Sequence, residues 1–212
     1  MMRRYMAVSI TSTLLLSTWL TACSKDSRGP NEPAAPAAEG SGSEEVTSGT
    51  EASAPEQGQV TRAEAELTAA EGAEVEGKAI FTQEPDGVRV VLELDDAPPG
   101  RKGVHVHTVG DCSDIKGQSM GPHFAPKVDH HALPSEGDAR HLGDLGNIVV
   151  EDDGDGRLEI KVPDATLKPD DTASFLGRAL VVHTGEDTGS AVQPSGGSGT
   201  PMACGVIKNT GG

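Results

Sequence analysis

Seven histidines lie between His105 and His183, and their spacing is suited to binding metal ions. The first two flank Val106 in the run 103–107, which reads GVHVH. Because alternate side chains of a β-strand project from the same face, about 6 to 7 Å apart, two such imidazoles can bind one metal ion. Two surface histidines on an exposed strand give the same pattern, and zinc hydrolases also use it, so this pair alone leaves the chemistry open.

A second group of metal-binding side chains follows within 22 positions. It consists of three histidines and one carboxylate: His123, His131, His141 and Asp144. Such a set matches the four-coordinate nitrogen and oxygen preference of zinc. His183 ends the apolar run 179–182, where a buried neutral histidine is the alternative. Imidazoles without thiolates suit copper(II) as well as zinc, so the sequence allows sites for two metals.

The elements that must position these side chains are predicted to be short β-strands. Alternating apolar and polar residues predict strands at 63–69, 75–81, 88–94, 148–151 and 158–162, and shorter runs predict three more at 103–107, 179–183 and 205–208. A helix over 60–70 fits the first segment as well. Turn sequences at 84–87 and 152–156 separate neighbouring strands.

About eight short strands without a convincing helix predict an all-β sandwich or barrel. Two long stretches, 108–143 and 184–203, are poor in strand signals. Loops of that size in a compact domain are usually functional, and both carry candidate metal ligands or flank them.

The first 22 residues are predicted to be a signal peptide. Arg3 and Arg4 precede fifteen uncharged residues, 6–20, which is shorter than the about 20 apolar residues that span a bilayer. The segment ends in Leu20-Thr21-Ala22-Cys23, which resembles the lipobox of bacterial lipoproteins, where a lipid is attached to the cysteine. An ordinary secretory signal is the alternative, and both interpretations predict an exported protein.

The rest of the chain divides into a tether and one domain. Residues 23–59 are rich in Ser, Gly, Pro, Ala and Glu, which predicts a flexible tether between the lipid and the domain at 60–212. Ser24 follows the lipidated cysteine; in enteric lipoproteins an Asp there favours retention in the inner membrane. We therefore expect a lipid anchor in the outer membrane, facing the periplasm.

Cysteine number agrees with lipidation. Three cysteines are an odd number for an exported chain. If Cys23 carries the lipid, Cys112 and Cys204 remain, and in an oxidising compartment we expect them to form a disulfide.

The charge of the chain excludes one class of partner. Its 17 basic and 33 acidic side chains give a formal charge of −16, and the predicted domain, with 13 basic and 26 acidic side chains, carries −13. Every nucleic-acid phosphate would meet net repulsion, so a nucleic-acid partner is not expected.

The segment 63–209 resembles copper,zinc superoxide dismutases in five strings that occur in the family's order: GVHVHTVGDC, GPHFAP, RHLGDLGN, ALVVHT and MACGVI. The resemblance implies an eight-stranded Greek-key β-barrel. It also implies an enzyme that converts superoxide to dioxygen and hydrogen peroxide by one-electron cycling of copper.

The resemblance further implies the metal ligands. The copper ligands would be His105, His107, His123 and His183, and the zinc ligands His123, His131, His141 and Asp144. The shared His123 would also hold the catalytic proton. His130 is the alternative to His131, and the eight-residue offset from His123 favours His131.

Two outer features complete this expectation. Asp187 resembles the carboxylate that holds one copper-site and one zinc-site imidazole together. Cys112 and Cys204 match the family's intrasubunit disulfide.

One position departs from the family. Three residues before the second disulfide cysteine the family has an arginine that attracts and docks the anion, and this chain has Pro201. The loop 184–203 contains neither Lys nor Arg, so any attraction of the anion would have to come from elsewhere, such as Lys116 or Lys127, or be absent; we favour the interpretation that both are ordinary surface lysines. We expect a slow enzyme; a non-enzymatic copper- and zinc-binding envelope protein is the alternative. A zinc hydrolase is a third class, but it lacks an obvious general base.

Overall fold

The structure, a computed structural model, describes residues 60–116, 118–128, 130–193 and 195–211. They belong to one compact unit, residues 52–212. The predicted signal peptide, Cys23 and the tether lie outside the described residues. No helix in the described part is long and apolar enough to cross a membrane.

The regular structure of the described residues consists of β-strands and one short 3₁₀ helix, Pro134–Glu136. The strands are β1 (Arg62–Ala69), β2 (Glu76–Glu84), β3 (Gly87–Asp95), β4 (Gly100–His107), β5 (Asp144–Val150), β6 (Gly156–Pro163), β7 (Ala179–His183), β8 (Pro201–Val206) and β9 (Lys208–Gly211).

The strands form one closed antiparallel sheet. Around the barrel the order is β1, β2, β3, β6, β5, β4, β7, β8, and β8 pairs with β1 again. β3 pairs with β6 and β4 with β7, which are the crossovers of a Greek key. Strand β9 pairs with β1 beyond the end of β8, so the two act together as the eighth strand of the barrel. The predicted all-β, eight-stranded Greek-key barrel is confirmed.

Alternating side chains explain why these segments are strands. In β3, Val88, Val90, Leu92 and Leu94 are buried, and Arg89 and Glu93 between them are exposed. Strand β1 pairs with β2 from Arg62 to Leu67, so the alternative of a helix over 60–70 is wrong. The predicted turn at 84–87 joins β2 to β3, with Glu84 opposite Gly87.

The barrel interior is filled mainly by aliphatic side chains. Its aromatic side chains are Phe81, Phe124 and Phe175. The Phe175 ring packs edge-on against the other two, with its centroid 6.2 Å from that of Phe81 and 6.1 Å from that of Phe124. The Arg178 guanidinium lies 3.4 Å from the centre of the Phe124 ring and covers this end of the core.

The last strand differs from the prediction at 205–208. It begins at Pro201, which pairs with His183, and it is interrupted at Ile207, where the backbone N–H donates to the Arg178 carbonyl (2.8 Å). Proline is tolerated at the first residue of a strand because the hydrogen bond that it cannot donate is only the terminal one of the ladder. The second long loop therefore ends at residue 200, and the first, 108–143, has the predicted bounds.

Candidate metal centre

Strand alternation directs the first histidines away from the core. On β4, Val104 and Val106 point into the barrel, so His105 and His107 lie on its outer face. His183 ends the adjacent strand β7. The first long loop returns to β4, where the Phe124 N–H donates to the Val106 carbonyl (2.8 Å) and His123 bridges to His107.

Four imidazoles form a buried cluster, which we call the first cluster. One ring nitrogen from each of His105, His107, His123 and His183 lies within 4.8 Å of the others. Four ring nitrogens face one another without a hydrogen-bond partner among the described residues: His105 Nδ1 and the Nε2 atoms of His107, His123 and His183. Buried polar atoms are normally paired, so four orphaned nitrogens together indicate a metal-binding site.

The opposite nitrogens of three of these rings have partners. His107 Nδ1 lies 2.6 Å from the Gly121 carbonyl, His183 Nδ1 lies 3.1 Å from the Gly199 carbonyl, and His105 Nε2 lies 2.8 Å from Asp187 Oδ2. A ring N–H that donates to these oxygens leaves the other nitrogen with its lone pair free for a metal.

A second cluster surrounds Asp144, which is fully buried. Its Oδ1 atom lies 2.8 Å from His123 Nδ1, 3.1 Å from His131 Nδ1 and 3.3 Å from His141 Nδ1. His123 thus faces the first cluster through Nε2 and the second through Nδ1.

The tightest group in the second cluster differs from the expected ligand set. Atoms of His105, His123, His131 and Asp144 lie within 4.8 Å of one another, and His141 stands at the edge of this group. The imidazole of His141 still approaches the same Asp144 oxygen, with its ring centre 5.6 Å from that of His123.

The structure distinguishes the two adjacent histidines. His131 is 3% exposed and lies in the second cluster, whereas the side chain of His130 is exposed. His130 contributes only its backbone carbonyl, which accepts from the His141 N–H (2.7 Å).

Asp187 connects the two clusters. Its Oδ2 lies 2.8 Å from His105 Nε2, and its Oδ1 lies 2.9 Å from His131 Nε2. The side chain is fully buried, and Asn147 fixes the backbone by donating from its amide to the Asp187 carbonyl and accepting from the Asp187 N–H, both at 2.8 Å. The carboxylate therefore holds one imidazole of each cluster in a fixed orientation.

Two glycines allow the loops to pack this closely. A Cβ at Gly196, where φ is +60°, would lie 1.9 Å from Asp187 Oδ1. A Cβ at Gly103 on β4 would lie 2.7 Å from Ser198 Cβ. Larger residues at either position would push the Asp187 loop away from the histidines.

Burial and charge determine the protonation of the site. Burial lowers the pKa of His107 to about 3 and that of His183 to about 4, and it holds the pKa of His105 well below its usual value. Burial also lowers the pKa of His131, but the Asp144 and Asp187 carboxylates outweigh it and raise this pKa to about 9.

The pKa values of the two buried carboxylates, Asp144 and Asp187, are lowered. Burial raises their pKa values, but the hydrogen bonds from the histidines outweigh it and hold both below the ordinary range. Both side chains are therefore anionic at neutral pH and can offset cationic charge in the second cluster.

Cys112 and Cys204 form a disulfide in the structure, as predicted. Cys204 lies on β8, and Cys112 lies in the first long loop, five residues after β4 ends at His107. The bond therefore ties the loop that carries His123 and His131 to the barrel wall.

A pocket of about 830 Å³ opens onto the first cluster. Pro201 lies in its wall beside His183, at the position where the family has its arginine. Among the described residues neither Lys116 nor Lys127 lines this pocket, and Lys127 pairs with Asp164 at 3.4 Å. Their positions fit the interpretation of both as ordinary surface lysines.

Sequence reasoning missed several contributors to the site. The Gly121 and Gly199 carbonyls orient His107 and His183, and backbone groups leave no signal in residue type. Asn147 follows Gly146 in the string RHLGDLGN, so a polar side chain in the middle of a largely buried strand was the available signal.

A Greek-key barrel with two histidine clusters that share His123 defines a metal-binding β-barrel of the kind that can hold two ions side by side. The chain matches the family model described as copper/zinc superoxide dismutase over residues 75–207. It belongs to the copper/zinc superoxide dismutase family.

Similar proteins agree with this assignment. Superoxide dismutase [Cu-Zn] 2 of Brassica juncea is 38% identical over 147 residues, which is 66% of this chain and 93% of that relative. A crystal structure of the clock protein EA4 is 34% identical with a TM-score of 0.63, over 71% of this chain and 96% of that one. The prediction of an oxidoreductase family with copper and zinc as cofactors is thus confirmed.

Proposed function

We propose that this chain is an active superoxide dismutase that converts two superoxide ions and two protons to dioxygen and hydrogen peroxide. The observation that carries the proposal is the first cluster, where four buried ring nitrogens converge without hydrogen-bond partners. An all-imidazole set of this kind suits copper, which binds nitrogen ligands tightly.

The residues fit two different ions. His105, His107, His123 and His183 would hold copper, and His123, His131, His141 and Asp144 would hold zinc. Bound copper would supply one-electron chemistry, and zinc, which is not redox-active, would hold the geometry. Asp187 orients His105 and His131, and Nε2 of His123, which faces the first cluster, would hold the proton that the product peroxide takes up.

A non-enzymatic copper- and zinc-binding protein is the second candidate. The observation that favours it is Pro201, because proline offers no donor or charge to a superoxide ion in the pocket. The complete first cluster would serve either candidate, because binding copper needs its four nitrogens with or without turnover; it counts against a protein that binds zinc alone, which would have no use for His107 and His183.

The test is to purify the mature chain and measure its copper and zinc content together with its consumption of superoxide. We expect about one equivalent of each metal and activity above that of the metal-depleted protein. His183→Gln should lose copper and activity, and the matched variant of the exposed histidine, His130→Gln, should retain both.

The other outcomes identify the alternatives. Both metals without superoxide consumption would favour the binding protein. Zinc alone, with hydrolytic activity, would favour a zinc hydrolase and refute the dismutase.

We also propose that the protein is a lipoprotein anchored through Cys23, with its domain facing the periplasm from the outer membrane. Support comes from Leu20-Thr21-Ala22-Cys23 and from the polar composition of the tether. Mass spectrometry of the N-terminal peptide should show acylation, and Cys23→Ser should move the protein from the membrane fraction to the soluble fraction. Recovery of unmodified Cys23 from the membrane fraction would refute this.

A further inference from the structure

The pocket in front of the first cluster has no charged wall. Among the described residues that line it there are four histidines and no Lys, Arg, Asp or Glu. Three other lining side chains carry an N–H or O–H donor: Thr108, Gln118 and Ser195. Any of these three side chains that holds a small anion in the pocket therefore does so as a neutral hydrogen-bond donor.

Thr108 and Gln118 differ in whether their donor groups are free to bind a ligand. Thr108 Oγ1 already contacts backbone carbonyls, that of Pro122 at 3.2 Å and that of His123 at 3.4 Å. The side-chain amide of Gln118 has no hydrogen-bond partner among the described residues, and Gln118 is exposed where it lines the pocket. Its two N–H groups are free to bind a ligand.

The backbone of Gln118 is in an unusual conformation. Its φ is +63°, in the left-handed region that long side chains rarely adopt and that glycine adopts freely. Surrounding hydrogen bonds enforce this conformation: Ser119 N–H donates to the Asp114 carbonyl and Gly121 N–H to the Gln118 carbonyl, both at 3.0 Å. Such strained residues concentrate at functional sites.

The same turn is connected to the first cluster. Gly121, which donates to the Gln118 carbonyl, accepts from His107 Nδ1 through its own carbonyl (2.6 Å). The turn that presents the free amide thus also orients a candidate copper ligand, which fixes the Gln118 backbone, and so the reach of its side chain, relative to the metal-binding nitrogens.

We propose that Gln118 is a substrate-docking residue whose side-chain amide donates a hydrogen bond to the small anion that approaches the first cluster. The ligand class is a small monovalent anion, with superoxide as substrate and azide as a stable mimic. This inference rests on the proposed function. A neutral donor holds an anion less strongly than a guanidinium, because charge-assisted hydrogen bonds are about twice as strong.

The test measures azide binding to the mature protein loaded with copper and zinc. Binding is monitored by the visible absorption of the bound copper, a readout that does not depend on turnover. Gln118→Gly should weaken azide binding about 5- to 10-fold, as expected for the loss of one hydrogen bond. It should not lower the melting temperature, because glycine suits this φ. Gln118→Lys should strengthen azide binding and make it decrease with added salt.

A matched control is available on another loop. Asp170 has nearly the same φ, +61°, and does not line the pocket. Asp170→Gly should leave azide binding unchanged, which separates docking from a general effect of relieved backbone strain.

Several outcomes would overturn the inference. One is unchanged azide affinity in Gln118→Gly; another is loss of affinity in Ser195→Ala but not in Gln118→Gly, which would assign the docking role to Ser195. Wild-type protein that binds azide through Gln118 but does not consume superoxide would refute the proposed function and leave the docking role standing. Wild-type protein that takes up no copper would refute both.

Discussion

At the scale of single residues, the first cluster depends on which nitrogen of each ring is engaged. His107 and His183 are oriented by backbone carbonyls, and His105 is oriented by the Asp187 carboxylate. Each of these contacts fixes a tautomer before any metal arrives, so part of the ordering of these rings precedes metal binding. A metal site of this kind is preorganised by the barrel and its loops.

Pro201 is expected to limit the rate of superoxide consumption. Pro201→Arg should raise the rate about tenfold, because a cation in the pocket wall attracts the anion and docks it. The measurement is the rate of superoxide consumption per bound copper at low salt. Equal rates at equal copper content would contradict this account of the pocket.

Asp187 is expected to control zinc affinity. Asp187→Asn keeps the shape of the side chain but removes the charge that holds His105 and His131, so zinc affinity should fall about 10- to 100-fold. Competition with a chelator measures the affinity, and the exposed Asp170→Asn serves as control. An unchanged affinity in Asp187→Asn would show that the imidazoles need no carboxylate to hold them.

At the scale of elements, most strands could be predicted because their alternation is regular. Strand β3 alternates buried and outward-facing positions from Val88 to Leu94, and Val91 is its one apolar residue on the outer face. The last strand was predicted at 205–208, but its start at Pro201 could not be, because β8 is buried at every position from Pro201 to Gly205 and so shows no alternation. Its start is determined by pairing with His183, a contact distant in the sequence.

The candidate metal ligands could be predicted from the sequence, but the residues of the pocket in front of them could not. The five strings of the resemblance contain Asp144 and most of the histidines, and His131 and Asp187 followed from their offsets from His123 and His183. The resemblance gave no sign of Gln118, because a left-handed backbone at a glutamine is set by the fold of the loop and not by residue type.

The disulfide is expected to stabilise the loop and the barrel together. It joins residues 92 positions apart. Replacing both Cys112 and Cys204 by Ser should lower the free energy of unfolding by about 2 to 5 kcal/mol. Denaturant titration of the metal-free protein measures this. Reduced wild-type protein, which retains both sulfur atoms, should unfold like the variant; identical stability of oxidised and reduced wild type would contradict the prediction.

At the scale of the whole molecule, charge opposes the substrate. The predicted domain carries −13, and no basic side chain among the described residues lines the pocket to attract an anion. Long-range repulsion between the domain and superoxide follows, and dissolved salt weakens it.

The rate of superoxide consumption is therefore expected to change little, or to rise, when ionic strength is raised from about 10 mM to about 150 mM. The measurement is the initial rate at constant copper content and pH. Pro201→Arg is the matched comparison, since its added attraction should be screened and its rate should fall with salt. A steep fall in the wild-type rate would reveal an attractive field that the pocket does not contain.

The shared carboxylate of Asp187 makes the two clusters thermodynamically dependent on each other. An ion in either cluster restrains an imidazole that Asp187 also restrains, so part of the ordering cost of the second ion has already been met. Such coupling must be reciprocal: the factor by which zinc tightens copper binding equals the factor by which copper tightens zinc binding.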